Sequence, residues 1–512
     1  MAYNFTTLLA GSAFLGLLYY AFWELTTGAR RRQLIKERAC LPPVKYPTKD
    51  PVLGIDLFKK TLAAFKDRRG LEMIKERFDE KGVHTFQINS LGKTLISTRE
   101  PANLKTIQAL DFKKWSLGTQ RIENFRVFLG PGIFASDGAE WSHSREMLRP
   151  NFNRTQIRDL DTFESHIDHL IAAIPLDRST VDLQDLFFRL TMDSATEFLF
   201  GESTNTLMPG LSTVSASKFA EAFNRAQETL AHQGRFGIFS RFAVNKEYRS
   251  DCKFVHGLDF VDTYVEKGLA KRPKLLAEKP SDSDRYLFID ELVRQTTDKY
   301  QIRSELLNIL LAGRDTTASL LSNVWWILST RPDIYAELRK EVDALGGGRP
   351  TFEEIKDMKY LKALLNESLR VHPVVPLNSR EATEDTTLPR GGGPDGQSPL
   401  FVPKGRVVTF STFAMHRRKD FFGEDAEEFK PERWLGEKGL RPGWEYLPFN
   451  GGPRICLGQQ FALTEASYTT IRLMQTFKAI ESRDPEPWRE WLTLTCVGAG
   501  GCKVSLTPVS DA

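Results

Sequence analysis

The stretch Phe449-Asn450-Gly451-Gly452-Pro453-Arg454-Ile455-Cys456-Leu457-Gly458 decides the reading of this chain. It has the form F-x-x-G-x-R-x-C-x-G, and five specified residue types at fixed spacing arise by chance in a chain of this length with odds of about 10⁻⁴. One cysteine lies between glycines, with an arginine two residues before it and a helical run, Gln459 to Thr470, behind it. A thiolate there points out of a loop at a helix N-terminus, where the macrodipole and free backbone N–H groups favour ionised sulfur. Gly452 and Gly458 let the backbone turn and let a large flat cofactor approach. Arg454 suits a carboxylate on that cofactor. Together these features describe a cysteine-ligated haem, whose thiolate pushes electron density onto iron and favours O–O cleavage.

The bland alternative for Cys456 is a small buried hydrophobe, the usual fate of an unpaired cysteine. Zinc or iron–sulfur ligation needs partner cysteines at short spacing. The nearest others, Cys496 and Cys502, lie far off with five residues between them.

Working outward, the 512 residues have ordinary apolar and charged fractions, enough for a large core in one big domain or two smaller ones. The net charge of +4 argues against a general nucleic-acid binder, which carries a clustered basic excess. The five cysteines, Cys40, Cys252, Cys456, Cys496 and Cys502, form no disulfide framework, as expected in a reducing compartment.

From Ala2 to Trp23 there is no charged residue, and the run approaches the length that crosses a bilayer about 30 Å thick. Tyr19, Tyr20 and Trp23 suit an interfacial belt, and Arg30-Arg31-Arg32 suit the cytoplasmic side. A cleaved signal peptide competes with this reading, but such peptides carry their basic residues before the apolar run, and here they follow it. Residues 1–28 are therefore expected to be an uncleaved membrane-anchor helix, and residues 29–50, with Pro42, Pro43 and Pro47, a basic, stiff hinge. Residues 51–512 form the globular part.

Helical periodicity predicts helices over about Asp56–Asp79, Glu140–Met147, Thr155–Ala173, Leu183–Phe200, Ala216–His232, Phe254–Lys271, Ile302–Ser329, Asp333–Leu345, Met358–His372 and Gln459–Ile480. Strand patterns are short: Thr85–Ile88, Thr94–Ser97, Arg406–Phe410 and a C-terminal hairpin from Leu492 to Leu506. Breakers fall at Lys271–Asp284, Gly346–Gly348 and Leu388–Gly396. The expected class is mainly α with small β-sheets.

Within the long apolar helix, Gly313-Arg314-Asp315-Thr316-Thr317 places polar groups where they are costly unless bonded or working. The glycine can widen the helix to admit a small ligand, and an acid beside an alcohol can pass protons inward. The bland reading is a buried helix whose threonines bond back to carbonyls. Glu367 and Arg370 share a helix face at i and i+3, a pair worth little when solvated. If Arg433 of Pro431-Glu432-Arg433-Trp434 closes on Glu367, the three form a buried structural network. Trp141 and Arg145, at i and i+4, present two donors suited to carboxylates; Arg380, His416 and Arg454 are further candidates. The run His416-Arg417-Arg418-Lys419 fits a solvated basic face and a partner-docking face equally well. Of the 35 phenylalanines, notably Phe219, Phe223, Phe236, Phe239 and Phe242, most belong to the core and a few to an apolar pocket.

Four motifs, A-G-R-D-T-T, E-x-x-R, P-E-R-W and the cysteine loop, resemble the cytochrome P450 monooxygenases in order and spacing across essentially the whole chain. The resemblance implies a haem-thiolate monooxygenase of the P450 fold, anchored by one helix in the endoplasmic reticulum membrane with its catalytic part cytosolic. It further implies haem b with Cys456 as axial ligand, Asp315 and Thr316 as the acid–alcohol pair, and Glu367, Arg370 and Arg433 as the structural triad. Trp141, Arg145, Arg380, His416 and Arg454 match donors to the haem propionates, and Phe449 and Gly458 belong to the cofactor loop. O2, a lipophilic substrate, the lipid bilayer and NADPH–cytochrome P450 reductase are the implied partners, with cytochrome b5 a second candidate donor. By family analogy, Lys113–Phe134, Lys218–Val244, Pro373–Asn378 and Cys496–Cys502 line the pocket.

Two stretches, Thr387-Leu388-Pro389-Arg390-Gly391-Gly392-Gly393-Pro394-Asp395-Gly396 and Leu447–Ala466, resemble more narrowly the fungal and yeast branch that hydroxylates n-alkanes and fatty acids at the terminal carbon. In animal fatty-acid hydroxylases a glutamate before the central glycine can esterify the haem. Ala312 stands there in this chain, so noncovalent haem is expected. A hydroxylase of another lipophilic metabolite is the enzyme alternative. A haem or lipid-binding membrane protein without turnover is the remote one, disfavoured because it has no need of Asp315 and Thr316.

Overall fold

The computed structural model describes residues 2–152, 160–208, 210–235, 246–257, 259–277 and 286–509. Helices dominate, and the twelve short strands fall into four small sheets. The strands are β1 (Thr85–Ser90), β2 (Lys93–Thr98), β3 (Trp115–Ser116), β4 (Val181–Asp182), β5 (Leu377–Ala382), β6 (Thr386–Gly392), β7 (Ser398–Val402), β8 (Val407–Ser411), β9 (Phe477–Ser482), β10 (Glu490–Leu492), β11 (Cys496–Gly498) and β12 (Lys503–Pro508). The largest sheet has the order β1-β2-β8-β5-β3, with β2 and β8 parallel and the other pairs antiparallel.

The helix Lys299–Thr330 organises the interior. It starts where the Asp298 carboxylate caps the N–H groups of Tyr300 and Gln301, and ends before Pro332, which opens the next helix. Its first half, through Ile302, Leu306, Leu307, Leu310 and Leu311, packs into one apolar core with Phe128, Phe219, Phe223 and Phe288. Its second half, from Ala318 through Leu321, Val324 and Trp325 to Leu328, packs into another with Phe187, Leu364, Ile471 and Leu506. The polar segment Ala312–Thr317 belongs to neither core and lies where the two meet.

Several expected elements divide. The run Asp56–Asp79 is two helices, Ile55–Lys66 and Gly70–Lys81, because Arg68 turns into the left-handed region at φ 58°. Phe254–Lys271 likewise falls on Lys246–Gly257 and Asp259–Ala277, and the second carries Pro273 within it, so the breaker expected from Lys271 begins as helix. The helix from Gln459 stops at Thr476, where Phe477 begins β9. The C-terminal hairpin is β10 with β11 only; β12 pairs instead with β9 and β4. The glycine-rich segment Leu388–Gly396 is the end of β6 and its turn into β7, not an open loop.

At the N-terminus, Ala2–Trp23 continues through a π-helical turn, Glu24–Gly28, into Ala29–Glu37. The part from Thr7 is long and apolar enough to cross a membrane, and its apolar window is not buried in the protein. The following chain is tied to the β6–β7 hairpin. Arg31 forks onto Asp385 through Nε and Nη2, both at 2.9 Å, and its guanidinium lies over the rings of Trp23 and Phe401. Leu41 N–H donates to Pro399 O, and Gly393 N–H to Pro42 O. A Cβ at Gly392 would lie 2.3 Å from Pro399 O and 2.6 Å from Leu41 O, so that glycine is what lets the two chains touch.

The half-exposed Arg31–Asp385 pair contributes about 1 kcal/mol, whereas a side chain at residue 392 meets backbone that must shift. Asp385→Ala and Gly392→Val should each speed tryptic cleavage at Arg38 or Lys45 in the membrane-bound protein, Gly392→Val the more. Cleavage at the parental rate in both variants would show that these contacts do not hold the segment.

Candidate functional site

The cysteine loop closes when Cys456 N–H donates to Phe449 O at 3.0 Å, with Asn450 at φ 59° and Gly452 at φ 63° turning the chain between them. Gln108 shapes it from below: its Oε1 accepts Gly451 N–H at 2.8 Å, and a Cβ at Gly452 would come within 1.9 Å of its carbonyl oxygen. Gly452 is therefore required by the protein's own packing rather than by a cofactor. Gly458 differs: its φ is an ordinary −88°, and a Cβ there would meet only the Phe152 ring, at 3.6 Å. Beside that open space the Cys456 side chain is exposed, whereas Cys40, Cys252, Cys496 and Cys502 are all buried. The sulfur's environment holds its thiol above the ordinary value: the protein packed around its other sides raises it, and the Gly458 N–H and the Arg145 charge only partly offset this.

Four guanidiniums gather around the loop. Arg145 Nη1 donates to Ile455 O at 3.0 Å, and Arg454 stacks on Trp141 at 4.4 Å while donating to Ser136 O and Asp137 Oδ1. Arg380 is buried, with Nη1 on Asn378 Oδ1 and Ser379 O. Arg121, which the sequence did not single out, donates to the same Asn378 oxygen at 2.7 Å and keeps its buried Nε without a partner among the described residues. Burial and mutual repulsion drive Arg380 down to about 9 and Arg454 to about 10, with Asp137 the carboxylate that opposes both shifts. So much buried positive charge with one counter-ion is costly unless an anionic ligand neutralises it. A group with two carboxylates and an iron for Cys456 fits this donor set, as haem b would.

His416 is not brought to that cluster. It is fully buried, its Nε2 accepts Leu447 N–H at 2.9 Å, and burial with the charges of Arg370 and Arg417 lowers it to about 3. It holds the start of the cysteine loop instead. Arg417 and Arg418 beside it are also buried, on Glu427 and on Glu100 with Asp420, so the run is not a solvated basic face. Glu367 does meet both arginines: Oε1 accepts Arg370 Nη2 at 2.8 Å and Arg433 Nε at 3.2 Å.

On the central helix the acid and the alcohol are apart. Thr316 Oγ1 donates back to Ala312 O at 2.7 Å, the bland reading of that residue, and Asp315 Oδ1 pairs with Arg314 Nη1 at 2.5 Å. The helix is α throughout, so Gly313 does not widen it here. Of the phenylalanines singled out in the sequence, Phe219 and Phe223 are fully buried core residues, as expected of most of them; Phe236, Phe239 and Phe242 lie outside the described residues.

Comparison with known proteins agrees with this arrangement. The family model described as Cytochrome P450 matches residues 65–498. Cytochrome P450 monooxygenase himC of Aspergillus japonicus is 44% identical over 491 residues, covering 95% of this chain and 87% of that protein. Cytochrome P450 52A12 of Debaryomyces hansenii is 44% identical over 493 residues, covering 92% and 93%. The crystal structure of cytochrome P450DA heme domain superposes with a TM-score of 0.75 at 21% identity, covering 92% of this chain and 99% of that one, a likeness of fold.

Because His416 titrates near 6.5 when unfolded and near 3 when folded, its contribution to stability is complete above pH 6.5 and is lost as pH falls toward 3. Each unit of that window is worth about 1.4 kcal/mol. In His416→Asn, the difference in urea-unfolding free energy between neutral pH and about pH 5 should shrink by about 2 kcal/mol; an unchanged difference would show that His416 is not buried in its neutral form.

Proposed function

The chain belongs to the cytochrome P450 family, and from that premise we propose that it hydroxylates long-chain n-alkanes, fatty acids or both, at the terminal carbon. It is a monooxygenase, and its family and fold bind haem b through a cysteine thiolate. Bound haem supplies the iron at which O2 is reduced so that one oxygen atom enters the substrate. The observation that carries the site assignment is the single exposed cysteine lying among four guanidiniums and one carboxylate.

In this reading Cys456, as its thiolate, would hold the haem iron, and the Arg145 charge would stabilise that thiolate. Arg121, Arg145, Arg380 and Arg454, with the Trp141 indole, take the propionates, and Ala312 leaves the haem noncovalent. Asp315 and Thr316 would deliver protons: Thr316 Oγ1 would have to leave the Ala312 carbonyl to donate elsewhere, and the unpartnered Asp315 Oδ2 is the atom free to exchange a proton. The exposed apolar helix from Thr7 anchors the protein in the endoplasmic reticulum membrane, where long apolar chains dissolve. NADPH–cytochrome P450 reductase supplies the electrons, with cytochrome b5 as a second donor.

The substrate class rests on the resemblance to the terminal-hydroxylase branch and fits the relatives in Debaryomyces hansenii and Candida apicola at 43–45% identity. Relatives of similar identity named only as monooxygenases, in Aspergillus and Fusarium, favour a second reading, hydroxylation of another lipophilic fungal metabolite. Reconstitution with reductase in lipid separates the two. Terminal alcohols from dodecane or laurate support the first; no product from either, with turnover of other lipophiles, supports the second. Thr316→Ala should raise the hydrogen peroxide released per NADPH severalfold while the substrate still binds, and unchanged coupling would remove Thr316 from proton delivery.

A further inference from the structure

Arg314 and Asp315 are consecutive on the central helix, so their side chains leave it about 100° apart and do not ordinarily meet. Here the guanidinium turns back, and Nη1 reaches Asp315 Oδ1 at 2.5 Å. Two neighbours fix the guanidinium in that position, and a third holds the backbone it springs from. Its plane sits over the Phe188 ring at 4.4 Å, and the same Nη1 lies 3.4 Å from Gln227 Oε1 on the helix Val214–Arg235. The Arg314 carbonyl accepts Thr191 Oγ1 at 2.8 Å from the helix Leu183–Phe200. Arg314, Asp315 and Gln227 are all buried. The Arg314 Nε and Asp315 Oδ2 have no partner among the described residues.

A buried ion pair is usually no more stabilising than apolar side chains of the same volume, so its presence needs another reason. We propose that Arg314 and Gln227 are positioning residues for Asp315: they hold one oxygen of the acid in a fixed ion pair, leave the other free, and tie its orientation to the helix Val214–Arg235. The proposal rests on reading Asp315 as the relay acid. Burial holds the Asp315 carboxyl above the ordinary carboxylate range, and the Arg314 charge and bond, with the Gln227 side chain beside them, only partly offset this. Those two residues therefore stand between an ionised acid that can take up a proton and a protonated one that cannot. Because Gln227 lies on a different helix from the pair, a displacement of Val214–Arg235 alters the ion pair without touching the central helix. The acid's readiness then follows the position of that helix, which includes much of the segment expected to line the pocket.

The test uses full-length protein in lipid and two readouts. Infrared difference spectra against Asp315→Asn isolate the acid's own bands, and the ratio of peroxide to NADPH reports coupling. At about pH 7 the ionised fraction of Asp315 should fall in Arg314→Gln relative to the parent and recover in Arg314→Lys. Product formation should fall on the order of tenfold in Arg314→Gln with KM little changed. Gln227→Leu, which leaves the ion pair intact and so guards against a misfolded Arg314 variant, should shift the carboxylate band and raise peroxide severalfold. An Asp315 as ionised in Arg314→Gln as in the parent, or a Gln227→Leu protein with parental bands and coupling, overturns the proposal. The infrared arm reads the clamp whether or not Asp315 relays protons. Band changes without any change in coupling would support the clamp and fault the reading of Asp315 as the relay acid.

Discussion

The Glu367 carboxylate is the contact on which the rest of the site depends. It has no solvent exposure and takes five hydrogen bonds: from Arg370 Nε and Nη2, Arg433 Nε, Lys430 N–H and Trp434 Nε1, all between 2.8 and 3.2 Å. Both arginines then direct further donors to backbone, Arg370 to His416, Ala426 and Glu428 carbonyls and Arg433 to those of Phe422 and Asp425, while Arg433 Nη1 also reaches the Asp425 carboxylate. A meander with little regular structure is thereby fixed to the helix Lys359–Val371 by charge-assisted bonds. Removing one partner from such a network leaves a buried charge uncompensated, at a cost of about 3–5 kcal/mol.

From there the constraint passes to the cysteine. Arg370 binds the His416 carbonyl, and the His416 ring accepts Leu447 N–H. Two residues on, Phe449 O receives Cys456 N–H. Trp434, held by Glu367, packs on Tyr446 at 4.8 Å, and Tyr446 OH donates to Asn366 O in the same helix as Glu367. The loop's position is thus set by groups that never touch a cofactor, and His416 matters because it is neutral and accepting. That is a different use from the donor role its sequence neighbours suggest.

Much of this was legible in sequence because the decisive residues are close together along the chain. The spacing of Phe449 to Gly458, Glu367 with Arg370, and Asp315 with Thr316 each fits within one loop or one turn of helix, where local geometry fixes what can meet. The long helix and Leu183–Phe200 were legible from periodicity, the latter to its ends. What could not be read depends on pairings between distant segments. Arg121 and Asp137 gain meaning only when Arg380 and Arg454 arrive beside them, and Gln108 only when the loop descends on its carbonyl. Phe477–Ser482 continues a helical pattern in sequence, yet forms strand because Lys503–Pro508 returns to pair with it. Composition marked Leu388–Gly396 as a breaker for the same reason: glycines there permit contact with Leu41 and Pro42, residues about 350 positions away.

That last pairing changes what the glycine-rich segment can be evidence for. It is one of the two stretches behind the narrow family resemblance, and the other contains the cysteine loop, which haem binding would itself constrain. In the fold its glycines answer to the chain leaving the apolar N-terminal helix, through Gly392 under Leu41 and Gly393 on Pro42. Arg31 on Asp385 closes the same contact from the helix side. A sequence signature shared there therefore reports first how the catalytic body is held relative to that helix. Only through that geometry, by fixing which face of the body lies nearest the source of an apolar chain, does it bear on substrate.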